Sequence, residues 1–269
     1  MTVAEILQAA IDDFEEHGFD DEERLIKWTT LLREAIQLQV RSAASLEQQV
    51  KDHLQSIYDR VVQRGSVIRM HQGVDRFTLQ RIKPRLHAEL TRRIMASASL
   101  IKLNRVQMVE KTLQRFSGWA TSQPVGGSAL IDRRKLKEEI SQPIRKLPFV
   151  ERRLLIDQGH KLNSSISAVV ASDGGAIAAR WFSHYRESGY DYREDHRDRD
   201  GKIFLLRGTW ATKAGYVKPG KAGWADEVTQ PAEEVYCRCR WTYQYHLRQL
   251  PDDMLTEKGR EALAKVRAA

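Results

Sequence analysis

The sequence predicts an α+β protein: a long-helix N-terminal region, residues 1–175, followed by a small loop-rich α/β domain, residues 176–269, stapled by zinc. Apolar residues recur at helical spacing through the first region. Four of the six tryptophans, seven of the eight tyrosines and both cysteines lie beyond residue 180. Short β-prone runs between Gly- and Pro-bearing loops follow there. We therefore expect a domain boundary near residues 172–180.

Three helices are expected at the N-terminus. Thr2 and Glu5 have the spacing of a capping box, and Gly18 follows the end of the first apolar stripe. A second helix should begin near Asp20 or Asp21, and a third should run from Ser45 to a stop at Gly65. Helices of this length joined by short turns pack as hairpins.

Longer helical patterns follow. One runs from Thr78 to about Phe116, with Pro84 expected in its first turn. Residues 123–128 concentrate helix breakers and predict a loop. We then expect a helical hairpin interrupted by Pro143 and Pro148, with its last run ending near residues 174–175.

Secondary structure should change beyond that point. We predict a short helix over residues 178–185, then β-prone runs over residues 202–206 and 235–243, and a helical tail. The tail, residues 250–259, resembles the endings of phage head morphogenesis proteins.

Charge is distributed unevenly along the chain. Residues 1–59 carry a net charge of −8 and residues 60–160 a net charge of +13. The net charge of the whole chain is +8. A basic segment of this size attracts phosphate backbones without reading sequence, although solvated helix faces would explain the same residues. No run of 18 apolar residues and no secretory signal is present, so no membrane association is expected. The DNA-contacting candidates are Arg81, Arg85, Arg92, Arg93, Arg105 and Arg115.

The two cysteines have the spacing of metal ligands. In a strand, Cys237 and Cys239 would point to one face with Cα atoms about 6.6 to 6.8 Å apart, which strains a disulfide and suits a tetrahedral metal. His196 is the natural third ligand and His184 a candidate fourth. The same alternation sends Arg238 and Arg240 to the opposite face, toward carboxylates or phosphate. The alternative is that both cysteines are small buried hydrophobes and that His196 only bonds a carboxylate such as Asp200.

The order of these residues resembles a known signature, that of the phage Mu protein F-like minor head, or head morphogenesis, proteins. The resemblance covers about residues 160–245 and depends on order and spacing, since no element is specific alone. The segment from Tyr185 to Arg193 is more tyrosine-rich, and the loop over residues 209–230 longer, than the family pattern. The matching residues are Trp181, Arg193, His196, Asp200, Gly201, Pro231, Cys237, Cys239 and Arg240.

The resemblance implies a function without catalysis. It implies a minor capsid protein of the virion, assembled in the bacterial cytoplasm. There it would associate with portal or major capsid protein and contact packaged double-stranded DNA during assembly or genome ejection. It implies no catalytic residue and no small-molecule substrate.

Two other classes of protein remain open. Asp195 and His196 beside a metal could belong to a zinc-containing HNH-like nuclease, which needs a further His or Asn after the metal strand, where only His246 is available. A DNA-binding regulator would use the basic helices, but these do not resemble a compact helix-turn-helix.

Overall fold

The computed structural model describes residues 1–40, 43–123 and 132–268, and most of them are helical. The α+β class predicted from the sequence is confirmed. Most of the loop predicted over residues 123–128 lies outside the described residues. The helices are α1 Val3–His17, α2 Glu22–Gln39, α3 Ala43–Tyr58, α4 Ser66–Met70, α5 Arg76–Ser122, α6 Arg133–Asp173, α7 Glu194–Asp198, α8 Trp210–Lys213 and α9 Glu257–Ala268.

Side-chain caps set the ends of the first helices. The Thr2 hydroxyl accepts the Glu5 N–H at 3.2 Å, and the Glu5 carboxylate accepts the Thr2 N–H at 2.8 Å, which confirms the predicted capping box. Gly18 ends α1 with a φ of 92°, and the Asp21 carboxylate caps α2 at the predicted position. After α3 the chain forms a π-helical segment, Asp59–Gln63, before Gly65.

The long helices tolerate internal prolines. Because Asp75 caps α5 by accepting the Thr78 N–H at 2.6 Å, Pro84 lies inside the helix and the first-turn prediction is wrong. The predicted hairpin around Pro143 and Pro148 is also wrong, since α6 continues through both. Pro143 cannot donate to the carbonyl of Glu139, and Arg115 donates to that carbonyl instead at 2.7 Å.

The described residues form two compact units. The first contains Met1–Val50 and Ala96–Leu154, and the second contains Lys51–Met95 and Leu155–Ala269. The change from helix to strand falls near residue 175 as expected, but the division between compact units falls within α3, α5 and α6. In the first unit, α1 and α2 bury Phe14, Leu32 and Ile36 with Phe116 of α5 and Ile140 of α6.

The second unit contains a three-stranded antiparallel sheet in the order β2-β1-β3. Its strands are β1 Ala178–Phe182, β2 Ile203–Leu205 and β3 Arg240–Gln244. The predicted helix over residues 178–185 is therefore wrong: β1 is the central strand, pairing Ala179 with Phe204 on one side and with Tyr243 on the other. Both β-prone runs form strands, although β3 begins after the cysteines. Ile177, Ala178 and Leu205 pack on one side with Leu255, just before α9.

Candidate metal centre

The histidine of the centre lies on a short helix held against the central strand. His196 of α7 is 1% exposed, and its ring meets the ring of Trp181 of β1 edge to face, with centroids 5.1 Å apart. Behind α7, the Asp200 carboxylate accepts the Ser183 N–H at 2.8 Å, and Gly201, at a φ of 76°, donates to the Trp181 carbonyl at 2.9 Å. The Asp-Gly pair therefore fixes α7 to β1 by a turn that needs glycine's left-handed backbone.

The two cysteines lie on a turn that leads into β3. Cys237 and Cys239 precede the strand, so the prediction that they occupy one strand face is wrong. The backbone reverses at Ala232 and Tyr236, which have φ values of 65° and 61°, and the Ala232 N–H donates to the Cys237 sulfur at 3.4 Å. Non-glycine residues in the left-handed region persist only where the surrounding structure holds them. The two sulfurs therefore come together in the segment between this turn and β3, outside the strand.

The geometry of the three side chains suits a tetrahedral metal. The Nδ1 atom of His196 lies 3.6 Å from the Cys237 sulfur and 3.5 Å from the Cys239 sulfur. One ligand atom from each residue lies within 4.8 Å of the other two, and all three residues are buried. Zinc bonds of about 2.3 Å to sulfur and about 2.05 Å to nitrogen give an N–S edge of about 3.6 Å in a tetrahedron. His196, Cys237 and Cys239 could therefore hold a metal ion.

The two thiols differ in their proton affinity. Hydrogen bonds from the Cys239 thiol and the Ala232 N–H, together with the nearby His196, lower the pKa of Cys237. The pKa of Cys239 is raised by that thiol hydrogen bond, by burial and by the charge on Cys237. The pair thus favours one thiolate, which is the form that binds metal.

A carboxylate stands behind the histidine. The Glu234 Oε2 atom lies 3.3 Å from His196 Nε2 and 2.7 Å from Arg193 Nε. The two atoms are close enough for a hydrogen bond, but neither has a partner in hydrogen-bond alignment among the described residues. A carboxylate that accepts the N–H of the far nitrogen of a metal-binding histidine orients the ring and raises its basicity, and Glu234 lies where it could take this role. Arg193 of the sequence signature thus acts through Glu234, a residue that the sequence analysis did not select.

Helix α6 holds the loop that carries Glu234. The Asp157 carboxylate accepts the Tyr236 N–H at 2.7 Å, and the Ser164 hydroxyl donates to the Pro231 carbonyl at 3.0 Å. Between them, Lys161 donates to the carbonyls of Glu233 and Glu234 at 2.8 and 3.2 Å. Polar side chains at positions i, i+4 and i+7, which lie on one face of a helix, were the available signal for this role. We call these three residues the α6 anchors.

The side chain of His184, the predicted fourth ligand, lies outside the cluster of candidate ligands. Its Nδ1 atom lies 3.0 Å from the Glu187 carboxylate, while its backbone N–H bonds the Cys239 sulfur. Among the described residues, the cluster contains His196, Cys237 and Cys239 alone. Arg240, the last residue of the signature, begins β3, with its guanidinium 3.9 Å from the centre of the Phe182 ring.

The arginines predicted to contact DNA differ in how much of each side chain is exposed to solvent. Arg81, Arg85 and Arg92 keep 57 to 61% of their side-chain surface exposed, although each lies near a carboxylate. Arg115 is also exposed.

Two of the six arginines are packed against other helices. Arg105 is only 8% exposed and pairs with Glu151 at 2.5 Å, so its predicted DNA contact is corrected to a buried ion pair. Arg93 is half-buried beside Gln158 and Ser165. The surface that remains for phosphate contacts is therefore smaller than the sequence suggested.

Comparisons with known proteins give no relative for this chain. No family model, curated protein or solved structure matches it significantly. In the described part of the chain, every helix is too short or too polar to cross a membrane.

Proposed function

We propose that this chain is a minor head protein of a tailed double-stranded DNA phage, whose second unit is stabilised by one zinc ion. One observation carries the proposal. Signature residues that lie far apart in the sequence, between positions 181 and 239, come together at one buried site. Trp181 packs on His196, Arg193 reaches it through Glu234, and both cysteine sulfurs face its Nδ1 atom. A signature that fixes a metal-binding fold accounts for these residue types together.

Zinc is the metal that suits this donor set. Two thiolates and an imidazole are preferred by Zn²⁺, whereas Mg²⁺ and Ca²⁺ prefer oxygen ligands. The site is buried and its supporting residues are bonded to the backbone, as expected for a structural ion. The His184 imidazole is engaged by Glu187, so His196, Cys237 and Cys239 are the residues that would hold the ion.

Elemental analysis tests the metal. We expect about one zinc per chain in protein purified without chelator, a loss of zinc in Cys237→Ser, and full retention in His184→Ala. Fewer than about 0.2 zinc per chain, with both cysteines titrating freely in the folded protein, would favour two buried thiols instead.

Mass spectrometry of purified virions and procapsids tests the head assignment. We expect the protein to co-purify with mature heads or with portal. Its absence from virions and procapsids alike would refute this assignment and leave the zinc result unaffected.

The DNA contact should be electrostatic and independent of sequence. Arg81, Arg85 and Arg92 are exposed on α5, and surface ion pairs of the kind they make are worth only about 0 to 1 kcal/mol, so phosphates can compete for them. We expect the affinity for duplex DNA to fall steeply between 50 and 200 mM salt, on the order of tenfold or more. An affinity that survives high salt, or that prefers one sequence, would contradict this role.

The nuclease alternative gains no support from His246. It lies at the start of the turn Leu247–Gln249, and the cluster of candidate ligands in the described residues does not include it.

A further inference from the structure

The second unit contains a cavity whose wall is rich in cationic and neutral hydrogen-bond donors. It has a volume of about 580 Å³ and lies beside the metal centre, with Cys239 in its wall. Cavities of about 300 to 1,000 Å³ are the usual size of small-ligand sites. The wall includes Arg69, Arg238 and Arg240 and the histidines 71, 160 and 184, and no aspartate or glutamate of the described residues lines it.

The two arginines of the Cys-Arg-Cys-Arg segment are held by aromatic rings. The Arg240 guanidinium lies 3.9 Å from the centre of the Phe182 ring, its cross-strand neighbour, and Arg238 lies 5.5 Å from the centre of the Tyr190 ring. A guanidinium stacked on a ring keeps its in-plane N–H groups available. These donors are therefore oriented before any ligand arrives.

Counter-charge near the cavity is weak. Glu187 lies 3.9 Å from Arg238 and 3.0 Å from the His184 ring, and the buried Asp157 acts on His160, but neither carboxylate lines the wall. Two carboxylates behind the wall against three arginines in it leave a net positive wall. In addition, the side-chain oxygen of Asn163, a wall residue, is buried without a hydrogen-bond partner among the described residues. Because this oxygen only accepts hydrogen bonds, an amino or hydroxyl group elsewhere on a ligand could satisfy it, but phosphate oxygens could not.

We propose that this cavity binds a phosphate group, carried either by a free nucleotide or by the terminus of a nucleic acid strand. Arg238 and Arg240 supply the charged donors, with Arg69 at the wall as a third, because guanidinium groups match phosphate oxygens in geometry and charge. Ser167 and Thr242, two further wall residues, supply neutral hydroxyl donors. The site is distinct from the helical surface proposed above to contact duplex DNA, and it does not depend on the head assignment.

Calorimetric titration of the full zinc-containing chain tests the site at low salt. The ligands are inorganic phosphate, adenosine monophosphate and a single-stranded ten-nucleotide DNA with a 5′-phosphate, compared with the same DNA bearing a 5′-hydroxyl. Binding of the monophosphate more tightly than the oligonucleotide identifies a nucleotide site. Preference for the 5′-phosphorylated strand identifies a strand-terminus site. Failure of all four ligands to bind overturns the proposal.

Matched variants then locate the binding. Arg238→Gln with Arg240→Gln should raise the Kd at least tenfold, and Glu187→Gln should lower it about threefold by removing the opposing charge. Arg248→Gln, an exposed arginine outside the cavity wall, should leave the Kd unchanged. Each variant must keep the zinc content and circular dichroism of the parent. Equal affinity in the double arginine variant and the parent would overturn the proposal even if the parent binds phosphate.

Discussion

Replacing Glu234 by glutamine should weaken zinc binding without removing a ligand. The carboxylate lies 3.3 Å from His196 Nε2 and is shared with Arg193, and its side chain keeps 34% of its surface exposed. A full charge pair at about 4 Å is worth about 4 kcal/mol at an effective dielectric constant of about 20. Because a metal-bound imidazole carries only part of a charge and solvent screens the pair, we expect a smaller loss. Removal of a carboxylate behind a metal-binding histidine typically costs about 10- to 100-fold in affinity, or about 1.4 to 2.7 kcal/mol.

The assay is competition for zinc against a chromophoric chelator. Glu233→Gln is the matched control, because Glu233 is adjacent, is exposed, and accepts only the Gln230 N–H at 2.7 Å among the side-chain contacts described. The two variants carry the same charge change at neighbouring positions. Equal zinc affinities in Glu234→Gln and Glu233→Gln would refute the reasoning that Glu234 supports the histidine.

Three further perturbations test other parts of the fold. Burial lowers the pKa of His71 from 6.5 to about 4. As the pH falls, this histidine is therefore protonated at a higher pH in the unfolded chain than in the folded chain. This contribution to stability is complete above about pH 6.5 and is lost as the pH falls toward 4, by about 3 kcal/mol in all. Denaturant titrations of metal-free protein in phosphate-free buffer should show this fall, and a His71→Gln variant that retains the same slope would contradict it. In α9, a Cβ atom on Gly259 would lie 2.1 Å from the Tyr216 carbonyl oxygen, so Gly259→Ala should lower stability by about 1 to 3 kcal/mol. Gly118→Ala in α5, with open space around it, should instead raise stability by up to about 1 kcal/mol, and thermal unfolding that ranks the two variants the other way would disprove the close approach. Lys161→Met keeps the length of the anchor but removes its two hydrogen bonds, and should release the loop enough to speed zinc loss to a chelator severalfold; an unchanged rate would exclude a role for this anchor.

Local rules predicted the elements whose causes are local. The Thr2–Glu5 capping box, the Gly18 stop and the Asp21 cap depend on neighbours within four residues, and all three were predicted. The prediction of a helix over residues 178–185 was wrong because a short apolar run fits either a helix or a buried strand. Pairing with β2 and β3 makes this run a strand.

The candidate site shows the same division. The types of His196, Cys237 and Cys239 indicated a metal, and the structure brings these three together. The supporting residues were missed because Glu234 lies in a loop and the α6 anchors are more than 60 residues away in sequence. Arg105 was misassigned because charge patterns do not distinguish a solvated face from a buried ion pair.

The α6 anchors limit how far the metal-binding segment can be transplanted. A peptide covering residues 193–240 would contain all three candidate ligands and Glu234, but none of the three α6 anchors, which bond the backbone at Pro231, Glu233, Glu234 and Tyr236. Without them, the left-handed conformation of Tyr236 would relax, since such strain persists only when its surroundings impose it. The excised segment would have to spend part of its metal-binding energy on ordering its own turn. Grafting the site into another scaffold therefore requires a helix with an acid, a base and a hydroxyl in the same spacing.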